Sequence, residues 1–160
     1  MHLKRIIPVL LILFLLTGCE VKEYTPEIPQ AFTQKAKVTS GDFVFECEIC
    51  KTEKDVKTIV SSTSAYGMVM TYDGTVLNFN YGDYSYDIDG KGFERSNVSI
   101  VIFEVFENLA SLSQPNAKKI ENGYQYYGKT SLGDFVLLQN EDNTLRCVSV
   151  KSANLEIKFL

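Results

Sequence analysis

Residues 65–88 leave the backbone little choice. Tyr66, Met68, Met70 and Tyr72 alternate with Gly67, Val69 and Thr71. Leu77, Phe79 and Tyr81 continue the alternation beyond Asp73-Gly74, and Tyr84, Tyr86 and Ile88 follow Gly82-Asp83. A period of two belongs to a strand whose successive side chains face opposite ways. Asp-Gly favours the positive φ angles of a tight hairpin. Three short strands in meander order are expected, with one face built from Tyr, Met, Phe and Leu.

Residues 42–50 give another strand: Phe43, Phe45, Cys47 and Ile49 alternate with Val44, Glu46, Glu48 and Cys50, which puts the charges on one face. Residues 54–62 read as its return partner, anchored by Val56 and Ile59-Val60. After the turn Asp89-Gly90-Lys91-Gly92 the period changes. Ser96 or Asn97 suits a helix N-cap, and residues 98–112 contain no proline. The β-branched run Ile100-Val101-Ile102 argues for a strand, but Glu104, Glu107, Asn108 and Ser111 fall at i, i+3, i+4 and i+7. That spacing makes one narrow polar stripe on a helix that is otherwise apolar. So wide an apolar arc must be wrapped by something concave. Gln114-Pro115-Asn116 ends the helix. Strands at 117–121, 124–130, 134–139, 144–151 and 154–159 follow, separated by Asn122-Gly123, Gly133 and Asn140-Glu141-Asp142-Asn143. The expected fold class is α+β, mainly β: a curled antiparallel sheet, or half-barrel, wrapped over one long apolar helix.

The N-terminus sets the compartment. Lys4-Arg5 precedes an apolar run from Ile6 to Leu16 broken only by Pro8. That run is too short to span a bilayer, which takes about 20 apolar residues. It reads as a secretory signal, and Leu16-Thr17-Gly18-Cys19 resembles the bacterial lipobox. The resemblance implies cleavage after Gly18 and acylation of Cys19. Two or three acyl chains would hold the protein firmly at the extracytoplasmic face of a membrane. Residues 1–18 are thus read as signal peptide, 19–38 as lipidated N-terminus and flexible tether, and 39–160 as one half-barrel domain. Pro26 and Pro29 deny the tether regular structure.

Composition narrows the chemistry. The only histidine is His2, which leaves with the signal. The mature chain has no imidazole, so Ser-His-Asp catalysis, Cys-His catalysis and histidine metal sites are excluded. Lys4 and Arg5 leave too, which makes a chain of net charge −4 more acidic still. Nucleic acid and a polybasic membrane patch are therefore not expected partners; Lys118-Lys119 is too small a cluster to reverse this.

The order of elements resembles the LolA-like half-barrel over most of 39–160. Tyr86-Asp87-Ile88-Asp89-Gly90, Tyr124 to Gly128 and Gly133-Asp134-Phe135 are similar to patterns in small envelope lipoproteins of that kind. The resemblance implies a curved apolar cavity that carries or senses lipid or another hydrophobic partner. Such proteins usually open with an amphipathic helix, for which residues 27–40 are a poor candidate. Its loss would leave the cavity more open, or prevent one from forming.

Cys47-Glu48-Ile49-Cys50 has C-x-x-C spacing, but it lies in a strand pattern that points the two sulfurs to opposite faces. It lacks the helix N-terminus that activates redox thiols. Cys47 or Cys50 could bridge Cys147 only if their strands are neighbours; small buried apolar residues are the plainer reading. Asp87-Ile88-Asp89-Gly90 hints at a calcium loop, yet position twelve is Val98 rather than glutamate, so a turn is expected. Asn97-Val98-Ser99 is better read as a cap than as a glycosylation site. No metal, cofactor or catalytic residue is expected, and Glu46, Glu48, Glu104 and Glu107 read as solvated faces. Met68, Met70, Tyr72, Phe79, Tyr84 and Tyr86 share one sheet face and are the expected ligand groove, since Met and Tyr adapt to varied apolar shapes. The plainer reading is that the helix fills that face as ordinary core. The expected function is a membrane-anchored extracytoplasmic lipoprotein, not an enzyme, that binds or senses a lipid or other hydrophobic ligand. The alternative is a structural or adaptor lipoprotein of the envelope that binds a protein partner and has no ligand cavity.

Overall fold

The computed structural model describes residues 26–90, 97–112, 115 and 117–160. The signal and lipobox readings, including Cys19, lie outside the described residues, as do Lys91, Gly92, Ser96, Gln114 and Asn116. Among the described residues, six strands precede a helix: β1 (Phe32–Ser40), β2 (Phe43–Lys51), β3 (Val56–Val60), β4 (Val69–Tyr72), β5 (Val76–Tyr81) and β6 (Tyr84–Asp89). Helix α1 (Val98–Ser111) is followed by β7 (Ala117–Ile120), β8 (Gly123–Thr130), β9 (Gly133–Gln139), β10 (Leu145–Val150) and β11 (Leu155–Phe159). All eleven strands form one sheet in the order β6-β5-β4-β3-β2-β1-β11-β10-β9-β8-β7, and every neighbouring pair is antiparallel. The chain thus meanders outward from the centre to β6, crosses back as α1, and meanders inward from β7. The first and last strands pair in the middle of the sheet.

That central pairing corrects the expected tether and the domain boundary at residue 39. β1 occupies part of 19–38. Its inward row is Phe32, Gln34, Ala36 and Val38, of which Ala36 and Val38 are fully buried. Glutamine and alanine have weak strand preference, so the alternation is faint. The strand forms because it pairs on both sides, with β2 and with β11, and a central strand gains from both neighbours more than propensity takes away. Its outward Lys35 and Lys37 stand in register with Glu48 and Glu46. The segment before it is also held: Gln139 Nε2 donates to Glu27 O at 2.8 Å, and Ile28 packs on the core.

The helix lies on the concave face against β2, β3, β4 and β8. Asn97 caps it, its Oδ1 accepting from Ser99 N at 2.9 Å. The expected polar stripe is the stripe left uncovered: Glu107 and Ser111 are exposed, Glu104 and Asn108 half-buried. The rest, from Val98 to Leu109, supplies eight buried residues. Here tertiary burial overrides the poor helix propensity of Ile100-Val101-Ile102. Gly128 makes the close approach feasible. A Cβ there would meet Asn108 Oδ1 at 2.3 Å and the Phe135 ring at 2.5 Å.

One residue fixes the helix laterally. Ser99, fully buried, donates to Met70 O at 3.1 Å and accepts from Thr58 Oγ1 at 2.8 Å. Both partners lie on strands, so this one hydroxyl pins the start of α1 to β3 and β4. Ser99→Ala leaves two buried polar atoms without that partner and is expected to cost about 1–3 kcal/mol. Thr58→Val added to it should cost less than the sum of the two single changes, because the pair acts as one unit. Urea denaturation of the single and double variants measures both.

Candidate functional site

Below the start of α1 the concave face is not filled. A cavity of about 240 Å³ opens there. Val38, Ser40, Phe43 and Phe45 of the β1–β2 hairpin line one side, Met68 and Met70 with Val60 another, and Asn97 and Val98 the roof. Thr63 and Ala65 form the rim. No charged side chain lines it among the described residues. The rim loop, 61–68, is built rather than loose. Gly67 N donates to Val60 O, Met68 N to Ala65 O and Ser61 N to Glu46 O, each at 2.9 Å. Thr63 holds a positive φ of 69° and Gly67 one of 83°. Residues 65–67 accordingly turn where a strand was expected to begin at Ala65.

The Asn97 amide at the roof is already engaged. Asn97 Nδ2 sits 3.0 Å from Met70 Sδ while its Oδ1 caps the helix. Apart from the Ser40 and Thr63 hydroxyls, the rest of the lining is apolar or aromatic, with the Phe43 and Phe45 rings 5.7 Å apart. A cavity of 240 Å³ exceeds the ~150 Å³ that takes a benzene and falls below the roughly 300–1,000 Å³ of drug-sized sites. It has room for one ring system or a stretch of a single chain.

The six expected groove residues do share the concave face. Cross-strand pairing sets Met70 beside Phe79 and Phe79 beside Tyr86, and the others follow at steps of two. They do not share one environment. Met68 and Met70 line the cavity. Tyr72 is buried edge-on against Phe103, ring centroids 5.2 Å apart. Phe79 packs half-buried beside them. Tyr84 and Tyr86, 81% and 66% exposed, stand on the end strand, outside the cavity lining. Sequence reasoning missed the other wall. Strand alternation puts Phe43 and Phe45 on the same inward row as Cys47 and Ile49 but does not mark them as a wall of the cavity.

The opposite end of the sheet is closed by polar groups. Lys51 is buried, donates to Thr52 O at 2.9 Å and lies 5.7 Å from the centre of the Phe106 ring. Burial pushes its ammonium below the usual lysine range, against the attraction of Glu107 and Asp55. Gln139, fully buried, accepts from Tyr126 Oη at 2.7 Å and donates to Glu27 O and Asn143 O.

The cysteines do not form a site. Cys47, Cys50 and Cys147 are free. Cys47 is buried on the concave side and Cys50 is half-exposed on the other, as the strand pattern requires. A bridge to Cys147 is ruled out by the topology. β2 and β10 are separated by β1 and β11, about 14 Å at ~4.8 Å per strand, beyond disulfide reach. Asp73, at the β4–β5 turn, is a turn residue too: its Oδ1 accepts from Thr75 N and Val76 N at 2.8 Å each. Those two bonds hold its carboxyl below the usual carboxylate range. No group of three or more metal-ligating side chains occurs among the described residues.

Burial pushes the Cys47 thiol up from 9.0 to about 12. It also pushes Cys147 up to about 11, with Glu156 adding to the shift. The folded state therefore holds these protons more tightly than the unfolded chain. Their contribution to stability is complete below pH 9 and is lost as pH rises through the folded values. A melting series from pH 8 upward should show wild type falling more steeply above pH 9 than Cys47→Ala. Thiol labelling of Glu20–Leu160 should modify Cys50 while folded, and the other two only on unfolding.

No family model matches the sequence, and no curated protein matches it. Among solved structures, the chain is similar to the crystal structure of a LolA superfamily protein from Nitrosomonas europaea, at 12% identity and a TM-score of 0.42. The alignment covers 76% of this chain and 64% of that one, less than two thirds of its length.

Proposed function

We propose that this chain is a membrane-anchored, extracytoplasmic lipoprotein that binds or senses a small hydrophobic ligand in the cavity beside the start of α1. The uncharged lining of that cavity is the observation that carries the reading. An apolar pocket without a buried charge rewards an apolar guest and penalises a charged one, whose desolvation nothing inside would offset. Met68 and Met70 supply adaptable walls. Phe43, Phe45 and Val60 supply fixed ones. The rim loop is tied to β2 and to Val60 by backbone hydrogen bonds that give the opening a defined shape. Binding, not catalysis, is the activity this arrangement suits.

The anchor is Cys19, whose setting Leu16-Thr17-Gly18-Cys19 is that of a lipobox. Cys19→Ala should move the protein from the membrane fraction to the soluble fraction and abolish incorporation of labelled palmitate. Retention in the membrane by the variant would sink the anchor.

The cavity is tested separately. Native mass spectrometry of Glu20–Leu160, compared with its denatured mass, should show an adduct that extracts into organic solvent. Ala65→Trp should fill the opening and lower adduct occupancy at least roughly tenfold, the effect of ~1.4 kcal/mol, with little change in melting temperature. No adduct after incubation with envelope lipids would overturn the proposal.

A further inference from the structure

The two edges of the sheet are treated differently. β7 is four residues long and displays Lys118 and Lys119 to solvent. Short length and lysines are the usual means of keeping an edge from recruiting a foreign strand. β6, at the other edge, has neither device. It pairs with β5 through six consecutive residue pairs, Val76↔Asp89 to Tyr81↔Tyr84, without a bulge. It contains no lysine and no proline.

The hydrogen-bond alternation says which groups point outward. Gly90 N donates to Thr75 O at 2.8 Å, continuing the ladder that starts at the two-residue turn between Tyr81 and Tyr84. In an antiparallel pair, bonded and non-bonded residues alternate. Tyr84, Tyr86 and Ile88 therefore direct their backbone groups to β5, and Ser85 and Asp87 direct theirs to the open side. No described strand pairs there.

Charge selects the guest. Between Thr58 and Gly90 the sequence has no Lys or Arg, while Asp73, Asp83, Asp87 and Asp89 are all acidic. β6 itself places Asp87 on the convex side, where its Oδ1 accepts from Asn78 Nδ2 at 2.6 Å and its charge faces solvent, and the exposed rings of Tyr84 and Tyr86 on the concave side. Aspartates disfavour a second β6, which would set acid near acid, and favour a basic strand. The tyrosine faces suit lysine stems and ammonium groups.

We propose that the open side of β6 is a docking site for an extended basic peptide segment of another protein, added to the sheet as a twelfth strand. This is separate from ligand binding in the cavity: Tyr84 and Tyr86 do not line the cavity and are not required for it.

The test uses the full chain in nanodiscs of phosphatidylcholine, which carry no net charge, and three fluorescent hexapeptides read by anisotropy. The probe (Lys-Val)3 has both charge and strand-forming backbone, (Glu-Val)3 has the wrong charge, and an analogue of the first methylated at every backbone nitrogen keeps the charge but has no backbone donors. Only (Lys-Val)3 is expected to bind. Asp87→Lys should weaken it roughly tenfold through a reversed cross-strand pair. Ser85→Pro, which removes an outward N–H at an edge where proline is tolerated, should do the same. Both variants are checked for an unchanged melting temperature; if Ser85→Pro fails that check, Asp87→Lys decides. Equal binding of the N-methylated analogue would reduce the site to charge alone and overturn the proposal. So would failure of (Lys-Val)3 to bind, or binding untouched by Asp87→Lys. Binding that emerges only when paired copies are dispersed would assign the edge to a second copy and likewise overturn it.

Discussion

The helix cannot stand alone, and the sheet cannot lie flat. Eight of the residues of α1 are buried, and each large apolar side chain taken from water contributes about 1.5–3 kcal/mol. A flat sheet would meet such a helix along one line and leave most of that arc wet. Curling brings β2, β3, β4 and β8 against it together. β1 and β11 pair at the middle of this curled sheet, where Ala36, Val38 and Ile157 are fully buried. Small Ala36 leaves depth for the helix, and Gly128 does the same on the other flank.

Apolar burial sets how much of the helix is covered but not where it sits, because it has no direction. Directed bonds supply the position. Ser99 ties the start of α1 to Thr58 and Met70. Further along, Glu104 accepts from both Ser131 N and Ser131 Oγ at 2.8 Å, holding the β8–β9 turn to the helix flank. With the start held over β3 and β4, the helix leaves the corner beside the β1–β2 hairpin uncovered, and that corner is the cavity. The opening is thus a consequence of helix placement, not of a local defect in packing.

Most of the architecture was legible in the sequence because the patterns were strong. The meander of Met70, Phe79 and Tyr86, the helix with its stripe of Glu104, Glu107, Asn108 and Ser111, and the later strands all lie where the periods put them. β1 was not legible, because Gln34 and Ala36 interrupt its apolar row and its stability comes from two partners distant in sequence. The candidate site was half legible. Met68 and Met70 belong to it, but alternation reports which face a side chain takes and not whether the helix reaches it. Tyr72 and Tyr84 share a face by pattern, yet one is buried against Phe103 and the other stands in water. The far wall, Phe43 and Phe45, depended on where α1 stopped short, and no local pattern encodes that.

The hold of Gln139 on Glu27 gives the molecule a polarity along its strands. The chain enters at the end of the sheet where Gln139, Lys51 and Phe32 lie. β1 then runs nine residues to Ser40 at the cavity, a distance of about 26 Å at ~3.3 Å per residue. With Cys19 acylated as proposed, the chain would reach the domain at its Gln139 end, and the cavity would open at the far end. A guest would then meet the opening without passing the segment that leads to the anchor.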